Sequence, residues 1–339
     1  MEDDAERSDP HRVEELWFED GSIVIQAGNS QFRVHRGILA ARSPVFQDML
    51  SFPQPPDAEL VDGCPIVRLH DSATDVTAFL KAIFEPEFFG PFPTATTFDT
   101  IVGCLRLSHK YGVDYLRRRA LIHLSSAYRT KLSESDTSTY NENNPNRGAL
   151  EIISWPWPEG PSYNVYAIQI AREIGALWII PSAFYDLSGA FRRIGRGVFH
   201  GASYRGIPTS LSAHDEESFF NGHNIQSQST ATDIMAFLSD PPVIDGCPSP
   251  KECAFLRLQV ISDAREMIRA NPSIPLDVWI ADDWEKLRDL CPTCLAALQT
   301  AHQAARQVFW DKLPEIYGLP SWEELEQMKV SAIGTNWIS

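Results

Sequence analysis

The chain has 339 residues, 43% of them hydrophobic and 22% charged, with a formal net charge of −16. That length accommodates two or three domains, and that balance belongs to a protein with packed cores, which excludes a wholly disordered chain. An acidic surface repels phosphate backbones, so nucleic-acid binding is excluded except through a local basic patch. The one concentration of that kind, Arg192, Arg193, Arg196 and Arg205, reads as a solvated helix end, with a phosphate or acidic partner as its functional alternative.

Residues 1–14 read as a disordered acidic lead without the apolar run of a signal peptide. No stretch approaches the roughly 18 consecutive apolar residues of a membrane span. The expected location is intracellular, cytoplasmic or nuclear, with no membrane partner. Six cysteines are there expected to be free or metal-bound rather than paired in disulfides.

Order is expected to begin at Trp17-Phe18. Ile23-Val24-Ile25 and Gln31–His35, separated by Ala27-Gly28-Asn29-Ser30, predict a β-hairpin. Apolar residues then fall at helical spacings from Ile38 to Leu50, interrupted at Ser43-Pro44, where serine caps and proline takes the first helical position. Two short helices are predicted there. A proline-rich loop leads to a third strand at Pro65–Leu69, and Asp71-Ser72 caps a helix over about 73–84. Phe98, Ile101, Val102 and Leu105 mark another helix, which ends near Gly112, and a last one runs over about 115–131.

Residues 132–160, rich in Ser, Asn, Glu and Pro, read as a linker or long loop. The remainder, 161–339, is predicted to be mostly helical, at about 163–174, 179–187, 252–270, 292–313 and 322–329. A stretch near 195–250 reads as irregular, with only 231–238 helical. Leu107–Ala120 is echoed by Ile170–Ala183 at a constant offset of 63, each a helix stopped by a glycine (Gly112, Gly175) and followed by an aromatic residue and an alanine. Chance similarity of two helical hairpins and a short stacked extension both remain open.

Asp20-Gly-Ser-Ile-Val-Ile25, Phe32-Arg-Val-His-Arg36 and Leu39-Ala-x-x-Ser43-Pro-Val-Phe46-x-x-Met49, followed by the later elements in order, resemble the N-terminal signature of the BTB/POZ family. The likeness covers residues 15–131. It implies an α+β fold: a short three-stranded sheet with about five helices, here followed by a helical C-terminal region. Segments around Gly175–Trp178, Phe309–Pro314 and Gly318–Trp322 are similar to those of fungal proteins that pair such a domain with a helical tail. The resemblance also implies a non-enzymatic adaptor, self-associating as a homodimer or gripping a protein partner, with a cullin scaffold of a ubiquitin ligase as one partner it admits. In many dimeric relatives an acidic residue stands fourteen positions before the arginine matching Arg36. Here that position is Ser22. Trp17, Phe18, Ser22 and Arg36 are the candidate dimer face or pocket. His35 reads as a buried structural histidine.

Cys247-x5-Cys253 and Cys291-Pro-Thr-Cys294 form the one constellation with chemical potential. Cys-x2-Cys is a common half-site of a tetrahedral structural zinc, while five intervening residues make a looser one. Structural zinc and four independent reduced thiols both stay open. A thiol-redox or metal-dependent enzyme is the competing function, resting on Cys291 at a helix N-terminus, where the dipole favours a thiolate. No other cofactor is required, and no Walker A, His-Glu-x-x-His or Gly-x-Ser-x-Gly motif occurs.

Overall fold

The computed structural model describes residues 10–52, 59–137, 139–140, 152–228, 230–270 and 272–335. They divide into two compact units, the first made of the described residues within 1–127, 137–157 and 332–339 and the second of those within 128–136 and 158–331.

In the first unit the predicted hairpin is β2 (Ile23–Ala27) and β3 (Ser30–Val34), antiparallel from Ile23↔Val34 to Ala27↔Ser30. Gly28, at φ 54, supplies the left-handed residue that its two-residue turn needs. The expected helices follow as α1 (Arg36–Arg42) and α2 (Pro44–Ser51). Two short strands, β4 (Leu60–Val61) and β5 (Cys64–Leu69), then join the sheet, β5 running parallel to β2. The sheet therefore has five strands, in the order β1-β3-β2-β5-β4, rather than three.

The additional edge strand β1 is His11–Trp17, parallel to β3. Four residues assigned to the disordered lead, 11–14, are thus part of a strand, with His11 and Arg12 paired to Ser30 and Gln31. Only Leu16 of the strand is buried, so no apolar alternation betrays it.

Three helices complete the module: α3 (Ala73–Phe84), α4 (Phe98–Tyr111) and α5 (Asp114–Ser125). Ser72 and Thr97 cap the first two, each accepting from the backbone N–H three residues on. Gly112 closes α4 in the left-handed conformation, φ 69. α5 stops six residues before the predicted 131: the Ser126 hydroxyl donates to the His123 carbonyl at 2.7 Å, and the chain turns.

The presumed linker 132–160 is partly built into structure. It holds α6 (Leu132–Thr137) and the parallel pair β6 (Thr139–Tyr140) and β7 (Ile152–Ile153), while its Asn-rich centre lies outside the described residues. Trp155 is 0% exposed in the first unit. Its ring packs on Phe98 at 5.2 Å, and its Nε1 donates to the His123 carbonyl at 2.9 Å.

After residues 128–136, the second unit continues with α7 (Ser162–Ile174), stopped by Gly175 at φ 72, a 3-10 turn Leu177–Ile179, and α8 (Ile180–Gly189). The echo between the two glycines is therefore real as local geometry. Residues 195–250 are far more regular than expected. They contain the end of α9 (Phe191–His200), a hairpin of β8 (Ala202–Tyr204) and β9 (Ile207–Thr209), α10 (Ala213–Gln228), and α11 (Thr230–Ile234) running into a 3-10 turn at Met235–Leu238. The long α12 (Pro250–Ala270) and α13 (Pro292–Ile316) and the final α14 (Trp322–Ile333) match the predicted helices within a few residues.

Trp155 yields a direct test. Replacing it with alanine removes a large buried ring and orphans a hydrogen bond, so Trp155→Ala is expected to destabilise the first unit by about 3–5 kcal/mol in urea denaturation. A fragment ending at 131 should be less stable than one ending at 157. Equal stability would show that the returning segment is dispensable.

Candidate functional site

The candidate face divides on inspection. Ser22 and Arg36 do meet, through the backbone: the Arg36 N–H donates to the Ser22 hydroxyl at 3.2 Å, satisfying one of the free donors at the start of α1. The Arg36 guanidinium donates to the Leu50 carbonyl near the end of α2. A serine at position 22 can perform this capping without a countercharge. The acidic side chain nearby, Asp20, lies 3.6 Å from His35 instead.

Phe18 is half-buried between His35, stacked at 5.1 Å, and Phe84 at 5.5 Å. His35 is likewise half-buried rather than fully enclosed, as the sequence had implied. Trp17 stands at the end of edge strand β1 with the Arg12 guanidinium 4.4 Å above its ring. Two charges of that strand are matched within the unit, Arg12 with Asp62 at 3.0 Å and Glu15 with Lys81 at 3.2 Å. Nearby, α1 and α2 expose Ile38 (41%) and Val45 (38%).

The first unit also holds a buried polar group missed in the sequence, His123. His123 Nε2 is 3.0 Å from the Gly90 carbonyl, which can only accept, so Nε2 carries the proton and Nδ1 accepts from the Ser154 hydroxyl at 2.7 Å. Burial, reinforced by Arg119 and opposed by the Gly90 carbonyl, holds its pKa down to about 4. The only sequence signal was a histidine inside the apolar run Ala120–Leu124.

In the second unit, the four cysteines assembled from sequence spacing converge. Their sulfurs all lie within 4.8 Å of one another, with Cys247 Sγ to Cys291 Sγ at 3.7 Å, and none forms a disulfide. Cys247 sits on a turn closed by its N–H to the Ile244 carbonyl, with Gly246 at φ 76. Cys253 occupies the first turn of α12. Cys291 caps α13, where its sulfur accepts from the Cys294 N–H at 3.4 Å. That N–H draws the Cys291 pKa below the ordinary thiol value, whereas burial pushes Cys294 up. The looser Cys-x5-Cys spacing is the length needed to pass from the turn into the helix.

Arg192, Arg193 and Arg196 are exposed on α9, and the first two line a cleft of about 460 Å³ with His223 and Ser273. Arg205 is on the β8–β9 turn at φ 47. Among the described residues no helix is long and apolar enough to cross a membrane.

Compared with known families, residues 18–127 match the model of the BTB/POZ domain. The match ends where the first compact stretch of unit one ends, at Ala127. No curated protein and no solved structure matches the chain.

The His123 environment fixes a pH response. Unfolded, the ring binds a proton near pH 6.5, whereas folded it does so only near 4. Between those values the unfolded state binds more protons, so this residue costs stability as pH falls through that window, by at most about 3 kcal/mol. His123→Gln should flatten that part of the stability-against-pH curve relative to the parent chain. An unchanged slope would mean that the ring is not held neutral.

Proposed function

We propose, from the premise that residues 18–127 are a BTB/POZ domain, that this chain is a non-enzymatic adaptor acting by protein contact. The family match carries the reading, since domains of this kind mediate protein–protein interactions. The geometry supports it. Ser22, Arg36, His35 and His123, the polar side chains that chemistry would draw on, are engaged in capping, stacking and buried hydrogen bonds within their own unit.

Self-association is assigned to the edge strand β1 with Trp17. An edge strand presents an unpaired row of backbone donors and acceptors, and two of the charges that would blunt it are already matched within the unit. Arg36 is hydrogen-bonded to Ser22 and to Leu50, and Phe18 packs on His35 and Phe84, so these residues brace their own unit rather than forming a charged pocket. Partner recruitment, with a cullin scaffold as the specific candidate, is assigned to the same domain. An intracellular setting suits both roles.

The alternative, a thiol-redox or metal-dependent enzyme built on Cys291, is not favoured. A thioredoxin-like site follows a strand, and Cys291 follows the 3-10 segment Ala281–Leu287. A Cys291 thiol that turned over a disulfide substrate, with Cys294 resolving the mixed disulfide, would reinstate it.

Affinity recovery from native extract separates the readings when the whole chain is compared with residues 1–157, a fragment chosen to retain Trp155. Recovery of a cullin by both is the expected result for a ligase adaptor. Its absence from both, with each folded by circular dichroism, removes that assignment.

A further inference from the structure

We infer that Cys247, Cys253, Cys291 and Cys294 form a closed tetrathiolate site for a structural zinc ion. Sulfurs about 2.3 Å from a central Zn²⁺ form a tetrahedron with edges of about 3.8 Å. The 3.7 Å separation of Cys247 and Cys291 matches that edge, and no pair exceeds 4.8 Å, within about 1 Å of it. A disulfide would need about 2.05 Å. The sulfurs are therefore too far apart for covalent pairing and close enough to share one ion.

The scaffold around the cluster independently fits an anionic centre. Four thiolates around Zn²⁺ carry two net negative charges. Both helices that supply ligands, α12 and α13, begin at the cluster, so the positive ends of their dipoles lie beside it. The Cys294 N–H already donates to the Cys291 sulfur, the outer hydrogen bond that fixes a thiolate's orientation. One turn beyond Cys253 lies Arg257, only 3% exposed. Its guanidinium donates to the Leu238 and Phe237 carbonyls at 3.1 and 3.0 Å, and Cys294, Asp240 and Cys253 are the groups whose charged forms would act on it. A buried cation bonded to neutral carbonyls needs countercharge, and a zinc tetrathiolate provides it.

The backbone is shaped to bring the two half-sites together. The Gly246 turn packs toward the first turn of α13, where a Cβ on Gly246 would meet the Thr293 methyl at 3.9 Å. Cys253 and Cys294 also belong to the apolar cluster of Phe237, Trp279, Leu290 and Leu298. With four protein ligands no coordination position is left for water or substrate, so the ion clamps the loop before α12 to the start of α13 and does no catalysis. Metal binding and folding of this region are then one equilibrium.

The test is elemental analysis and native mass spectrometry of the whole chain. The expected result is one zinc per chain, retained through gel filtration and released when a mercurial titrates the thiols. Cobalt in its place should give the intense visible bands of a tetrahedral tetrathiolate. Cys291→Ser and Cys253→Ser should lose the metal, while Cys64→Ser and Cys104→Ser should keep it. If a ligand variant fails to fold, the metal content and cobalt spectrum of the parent chain decide. A metal-free chain with all six thiols reactive, iron as the bound ion, or zinc retained in Cys291→Ser/Cys294→Ser would each overturn the assignment.

Discussion

The first unit depends on the corner where α4 ends. Tyr111 is stacked on Phe46 at 4.6 Å and tilted against Phe79 at 5.8 Å, and its hydroxyl donates to Asp71 at 2.5 Å. Its carbonyl accepts the buried Ser43 hydroxyl at 2.5 Å, while Ser43 in turn caps α2 by accepting from the Phe46 N–H at 3.0 Å. Gly112 follows. Its left-handed φ and the Pro44 Cγ, 3.0 Å from where a Cβ would lie, both demand glycine. One residue thus ties α2, α3, α4 and the loop after β5 together. Through α2 it also positions α1, whose first residue carries the Ser22 and Leu50 contacts.

A scaffold held this way suits the proposed role in protein contact. Three buried polar groups of the unit have their partners inside it: Ser43 with Tyr111, His123 with Ser154 and Gly90, and Trp155 with the His123 carbonyl. Satisfied groups of this kind rigidify a domain. The surfaces the unit offers outward include the β1 edge and the apolar side chains of Ile38 and Val45.

Much of this was legible in the chain. The β2–β3 alternation, the Ser43-Pro44 cap and the two stop glycines have strong local signatures, and each sits where its physics places it. The four cysteines that spacing grouped into two pairs converge in the fold, although spacing alone did not decide whether they meet. The failures share a cause, weak burial periodicity. β1 buries one side chain and so resembles a polar tail. Trp155 sits among prolines, and its burial depends on His123 and Phe98, remote in sequence. α10 buries few residues over four turns, leaving scant apolar rhythm, and the β8–β9 hairpin is only three residues a side. His123 could not be distinguished from its apolar neighbours as a neutral hydrogen-bonding centre, because both partners come from other elements.

The account turns on whether β1 and Trp17 serve as a contact between chains. Light scattering of the whole chain over a range of concentrations measures this directly. A dimer mass for the parent chain, falling to a monomer mass in Trp17→Glu with an unchanged circular dichroism spectrum, is the predicted result. A parent chain that stays monomeric at every concentration, or a Trp17→Glu variant that dimerises as well as the parent, would contradict it.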